Sequence, residues 1–170
     1  MKKLMIASAI AMTMAAGSAM ASQGDVQFFG NVTASTCDVT PEVGGNVTNM
    51  IQLGTVSTSG AGEEIPLVFK ATNASGGDCQ SLTSKTATVA WGGPLTEKGI
   101  ANQGGLADDA YVILTSTNAK SDQAITKDDN AVDFDADKVI TDGLAFKAQL
   151  KGGSTAGDFQ SAAAYAVTYQ

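Results

Sequence analysis

Apolar and polar residues alternate in short runs along most of this chain, which is the period of an extended strand. In residues 144–150, Leu144, Phe146, Ala148 and Leu150 share one face. Residues 86–91 alternate in the same way, and 111–115 form the compact apolar run of a buried strand. Residues 65–71 predict another strand, with Pro66 near its start, where a missing N–H is tolerated. Residues 47–53 alternate less cleanly and stop at Gly54; 32–39 are strand-like and are broken by the turn formers of 41–46. Residues 73–78 and 116–122 read as turns, 95–109 as a loop, 123–125 as a short extended piece and 139–140 as a weak strand. The chain closes on 159–169, where Phe159, Ser161, Ala163, Tyr165, Val167 and Tyr169 share a face. No window of a dozen residues beyond the leader carries a 3.6 period. Short strands separated by Gly-rich turns predict an all-β sandwich.

The beginning of the chain has a different pattern. Met1-Lys2-Lys3 precedes an apolar run from Leu4 to Ala16, and Ala19-Met20-Ala21 is a small-x-small cleavage site. Residues 1–21 therefore predict a secretory signal peptide, too short and wrongly flanked for a membrane span. Ser22 follows the cut, so a lipid-anchored start is not expected. Directly behind it, Val26, Phe28, Gly30 and Val32 occupy alternate positions, and an extended backbone places them on one face. A terminal segment frays unless something ties it down. By pattern alone this segment is either an edge strand of its own sandwich or a strand bound by another molecule.

Charge narrows the function classes. Without the leader the chain keeps eight lysines against 17 acidic residues, with no Arg and no His. That balance disfavours nucleic acid and anionic membranes as partners. With no His, no Arg and no thiol once a disulfide forms, enzymatic catalysis is not expected. Cys37 and Cys79 are an even pair in an exported chain and predict one disulfide, closing a loop of about 40 residues worth ~4 kcal/mol. Two Cys without His do not complete a structural zinc site. The acidic tract 128–137 fails the calcium-loop pattern: counting from Asp133, position six is Lys138 rather than Gly, and position twelve is Leu144 rather than Glu. It reads as an exposed acidic loop. No metal or cofactor is expected.

The order of motifs is more specific than any one of them. A signal peptide is followed by Val26-Gln27-Phe28-Phe29-Gly30-Asn31-Val32, then Cys37, then Ile51-Gln52-Leu53-Gly54, a second Cys, and an Ala-rich alternation ending Tyr165-Ala166-Val167-Thr168-Tyr169-Gln170. This set resembles a major fimbrial subunit (pilin) of the chaperone–usher class of Gram-negative bacteria, in the manner of the K99-like and plasmid-encoded fimbriae. Phe28 and Gly30 two apart, the penultimate Tyr169, and Gly157 fourteenth from the C-terminus match that family too. The stretch 95–139 matches no motif of it.

The resemblance implies an incomplete immunoglobulin-like β-sandwich that lacks its last strand, with an N-terminal donor-strand extension. Residues 22–32 would be that extension and 33–170 the pilin domain. A periplasmic chaperone would fill the open groove first, and the extension of a neighbouring subunit would replace it at the outer-membrane usher. Val26, Phe28 and Val32 would plug the neighbour's groove, and Gly30 would lie where that groove is shallow. Gly157, Phe159, Tyr165, Val167, Tyr169 and Gln170 would form the groove wall and the chaperone-facing last strand. The implied function is a homopolymeric structural subunit of a fimbrium, exported through the periplasm to the cell surface and contributing to adhesion. The alternative is a subunit that is itself the adhesin and binds a host glycan or protein receptor.

Overall fold

The computed structural model describes residues 37–170. The leader 1–21 and the segment with Val26, Phe28, Gly30 and Val32 lie outside the described residues. Ten strands follow in chain order: β1 (Val39–Val43), β2 (Asn46–Val47), β3 (Ala61–Ala71), β4 (Thr86–Gly92), β5 (Leu95–Thr96), β6 (Gly99–Ala101), β7 (Tyr111–Ser116), β8 (Ala131–Asp135), β9 (Leu144–Lys151) and β10 (Ala164–Tyr169). One helical turn, α1 (Gly77–Gln80), carries Cys79, and a 3-10 turn covers Ala136–Ile140.

All strand pairs are antiparallel. They form a seven-stranded sheet in the order β2-β1-β3-β9-β7-β6-β5 and a three-stranded sheet in the order β10-β4-β8. The alternating residues of the sequence face inward between the sheets. β9 buries Leu144, Phe146, Ala148 and Leu150; β4 buries Ala87, Val89 and Trp91. Phe146 is the hub of an aromatic cluster, with ring centroids 5.9 Å from Phe69, 5.5 Å from Trp91 and 5.4 Å from Phe134. Tilted and edge-on aromatic pairs of this kind add to simple burial, so they fix the spacing of the two sheets as well as filling it.

Several sequence expectations are corrected. The turn expected over 41–46 shrinks to Gly44-Gly45, both at positive φ (58° and 81°), the geometry of a tight hairpin turn that favours glycine. Pro41, Glu42 and Val43 belong to β1. Pro66 lies inside β3 and not near its start. It is tolerated because the β1 ladder ends one residue beyond it, at Val43 opposite Leu67. The loop expected over 95–109 contains the β5–β6 hairpin, which buries one large apolar residue, Ile100.

The acidic tract is not a loop either. Val132 and Phe134 alternate inward in β8, while Asp133 and Asp135 face solvent. Asp133 Oδ1 accepts a 2.6 Å bond from the Thr88 hydroxyl. Lys120 and Lys138 stand 3.9 and 3.8 Å from Asp135. Carboxylates outnumber apolar residues there and conceal the strand period. The weak strand expected at 139–140 is the end of the 3-10 turn, closed by the Gly143 N–H donating to the Lys138 carbonyl.

Candidate functional site

Beyond β2 the chain runs without a ladder partner. Residues 51–56 make no backbone hydrogen bond among the described residues. Ile51 and Leu53 turn inward; Gly54, at φ 73°, shifts the alternation so that Val56 is the next apolar residue to do so. The strand expected over 47–53 is thus reduced to β2 plus an extended, unpaired wall.

A second wall faces it. Residues 155–165 run alongside in the opposite sense, so that Ile51, Leu53 and Phe159 lie at the middle of the groove between them. One half, of about 570 Å³, is floored by Leu67, Phe69, Trp91 and Leu114 and closed by Tyr165. The other half, of about 640 Å³, lies between Val56–Ser57 and Ala156–Gly157. The Phe69 and Tyr165 rings are 4.4 Å apart between centroids, so the second wall is packed directly on the aromatic core.

The backbone of β10 completes the picture. This strand pairs with β4 on one side only. Gln170 and Thr86 exchange hydrogen bonds of 2.9 and 2.8 Å. In an antiparallel ladder that pairing recurs at every second residue, so Thr168, Ala166 and Ala164 are the next to bond toward β4. The N–H and C=O groups of Tyr165 and Val167 therefore point to the open edge, where neither finds a partner among the described residues. An apolar trough bordered by an unpaired strand edge is a template for one more strand.

The predicted site residues distribute as follows. Cys37 and Cys79 are bonded, with Cα atoms 4.8 Å apart. The Tyr169 hydroxyl, buried, donates to the Cys37 carbonyl at 2.8 Å, tying the end of β10 to the start of the described chain. Burial, and then the nearby Asp38 charge, push that phenol up to about 12. Phe159 and Tyr165 line the half of the groove floored by Trp91, and Gly157 and Phe159 line the other. Val167 continues the inward face of β10 beyond the groove lining, and Gln170 is held by its backbone to Thr86.

The run expected as one strand over 159–169 is a strand only from Ala164. Its first half bonds instead to the loop 101–110: Gln160 exchanges backbone bonds with Gly104, and the Asn102 and Gln103 side chains accept from the N–H groups of Gln160 and Ala162. Sequence reasoning gave Ile51 and Leu53 no role and missed Trp91, Asn102 and Asp109. The alternation of Ile51 and Leu53 just before Gly54 carried the signal for the first wall. Nothing in the sequence singles out Asp109.

Asp109 holds the far end of the second wall. Its carboxylate accepts from the Ser154 hydroxyl (2.7 Å), the Ser154 N–H (2.6 Å) and the Thr155 N–H (3.2 Å). The Ser154 hydroxyl first, then these two N–H groups, hold its pKa at about 2 against an ordinary 3.8. Because folding lowers this pKa, the clamp's contribution is complete above the ordinary carboxylate value and is lost as pH falls through about 2. Ser154→Ala is expected to move the Asp109 midpoint up toward 3.8 in a carboxyl-carbon NMR titration; an unmoved midpoint would remove the hydroxyl as the main cause.

No protein-family model matches the chain. Full-length relatives are found nevertheless. The F107 fimbrial protein of Escherichia coli is 57% identical over 171 residues, covering 100% of both chains. The K99 fimbrial protein of Escherichia coli is 31% identical, covering 99% of each. The major MR/P fimbria protein of Proteus mirabilis is 28% identical, covering 100% of this chain and 99% of that one. Among solved structures, the P pilus rod subunit PapA superposes with a TM-score of 0.53 at 18% identity, covering 86% of this chain and 100% of that one.

Proposed function

This chain belongs to the fimbrial-subunit family, and from that premise we propose that it polymerises by donor-strand exchange, its residues 22–32 filling the groove of a neighbouring copy. Its fold is an incomplete immunoglobulin-like sandwich, it is a structural subunit and not an enzyme, and its place is a fimbrium on the cell surface. Strand addition is the mechanism that fits these facts. Donor-strand complementation of pilins is an established instance of it, and the mode is taken from there.

The observation that carries the reading is the groove itself. Its floor is the aromatic core, and one of its borders is the open edge of β10 at Tyr165 and Val167. Left uncovered, such a surface promotes non-specific association. A strand laid into it satisfies both needs at once: main-chain bonds to β10 and apolar side chains on alternate positions. Val26, Phe28, Gly30 and Val32 offer that alternation. A periplasmic chaperone supplies the first covering strand, the usher is the place of exchange, and the finished fibre contributes to adhesion.

The test is deletion of residues 22–32. The truncated subunit is expected to fold and stay bound to its chaperone but to form no fibres by electron microscopy. Fibres assembled from the truncated subunit would overturn the donor assignment.

A further inference from the structure

We infer that the loop 101–110 is a brace that sets the shape of the strand-accepting groove, with Asp109 and Asn102 as its positioning residues. The inference rests on the groove being the acceptor site, as proposed above.

The second wall has two halves held in different ways. From Ala164 onward it is a ladder on β4. From Ser154 to Ala162 the wall's hydrogen bonds among the described residues run to the loop 101–110 and none to β4. At one end Asp109 takes the Ser154 and Thr155 N–H groups. In the middle the Asp158 carbonyl accepts from Ala107 N–H at 3.2 Å, and its carboxylate from Leu106 N–H at 3.3 Å. At the other end Asn102 Oδ1 accepts from both Gln160 N–H (3.0 Å) and Gly104 N–H (3.2 Å), while its amide donates to the Ala107 carbonyl at 2.9 Å. The Ser161 hydroxyl donates to the Ala101 carbonyl at 2.7 Å.

The contact is close as well as bonded. A Cβ on Gly153 would run into the Asp109 carboxylate, and one on Gly157 into Leu106 and the Ala107 N–H. The braced half carries Phe159, whose side chain lines both halves of the groove. The separation of the two walls at Phe159 is therefore fixed through the loop, with the exposed Asp109 carboxylate anchoring one end of the contact and the half-buried Asn102 amide the other. Neither group lines the part of the groove floored by the aromatic core, so loosening them changes how a strand is held without opening the sandwich.

The experiment uses the oxidised full chain and a dye-labelled synthetic peptide of residues 22–32. Retention of the label is followed after a chase with unlabelled peptide, alongside the thermal unfolding midpoint of each variant. Asp109→Ala is expected to shorten the retention half-time about tenfold, the scale of losing charge-assisted hydrogen bonds. Asp109→Asn keeps an acceptor oxygen and should fall between. Asn102→Ala should act in the same direction as Asp109→Ala. Asp108→Asn, on a neighbouring exposed carboxylate, should match the parent. All four should unfold within a few degrees of it. Unchanged retention in Asp109→Ala, or a loss of retention matched by a collapse in unfolding temperature, overturns the brace while leaving the acceptor groove standing. Failure of the parent chain to retain any peptide overturns both.

Discussion

Phe28→Asp is expected to bring fibre assembly down to background while the subunit still folds. Under the donor-strand proposal Phe28 would share a strand face with Val26, Gly30 and Val32, and the groove that would receive that face is floored by Leu67, Phe69, Trp91 and Leu114. A carboxylate forced against such a floor loses its water and gains no partner, and the effective penalty in proteins is several kcal/mol. Main-chain bonds to β10 would be the same in the variant and the parent, so they do not offset that cost. Gln27→Asp places the same charge on the opposite face and should leave assembly intact. Sedimentation of fibres from the two variants makes the comparison. Equal fibre yields would mean that face alternation plays no part in assembly.

Replacing Cys37 and Cys79 together by Ser is expected to have the second largest effect, about 4 kcal/mol of lost stability from the entropy of the released loop. The bonded residues are 42 apart in sequence. The bridge also does more than close a loop. It fixes Cys37 under the Tyr169 hydroxyl, so its loss frees the start of the domain and the end of β10 together. That is a large share of the roughly 5–15 kcal/mol that holds a domain folded. The double variant should unfold in denaturant at a much lower concentration than the parent, and its yield in the periplasm should fall. A shift in the denaturation midpoint of less than a quarter of that expected would show that the packing of α1 and β1 holds without the bond.

The sequence displays the sandwich most clearly where side-chain alternation and burial coincide. β4 and β9 are legible because Val89, Trp91, Phe146 and Leu150 are large and fall on every second position. β8 is hidden because Val132 and Phe134 stand in a tract, 128–137, that carries five aspartates, and charge overwhelms period. β5 and β6 are two and three residues long, shorter than any pattern can register. The groove was legible by half. Phe159 and Tyr165 stand out as members of the terminal alternation, and the family resemblance gives them a role. That the backbone leaves the sheet between Gln160 and Ala163 was not legible, because the reason lies in another loop. Asn102 and Gln103 capture those N–H groups from about 60 positions away. Asp109 is invisible for the same reason. A lone exposed carboxylate beside Asp108 carries no period, and its meaning comes from Ser154 and Thr155 across the groove.

The most direct measurement is an electron cryo-microscopy map of assembled fibres that traces residues 24–32. The account predicts that Val26, Phe28, Gly30 and Val32 of one copy lie between residues 51–56 and β10 of another, bonded through the backbone to its Tyr165 and Val167. A map in which those residues lie in their own copy's groove, or outside any groove, would contradict it.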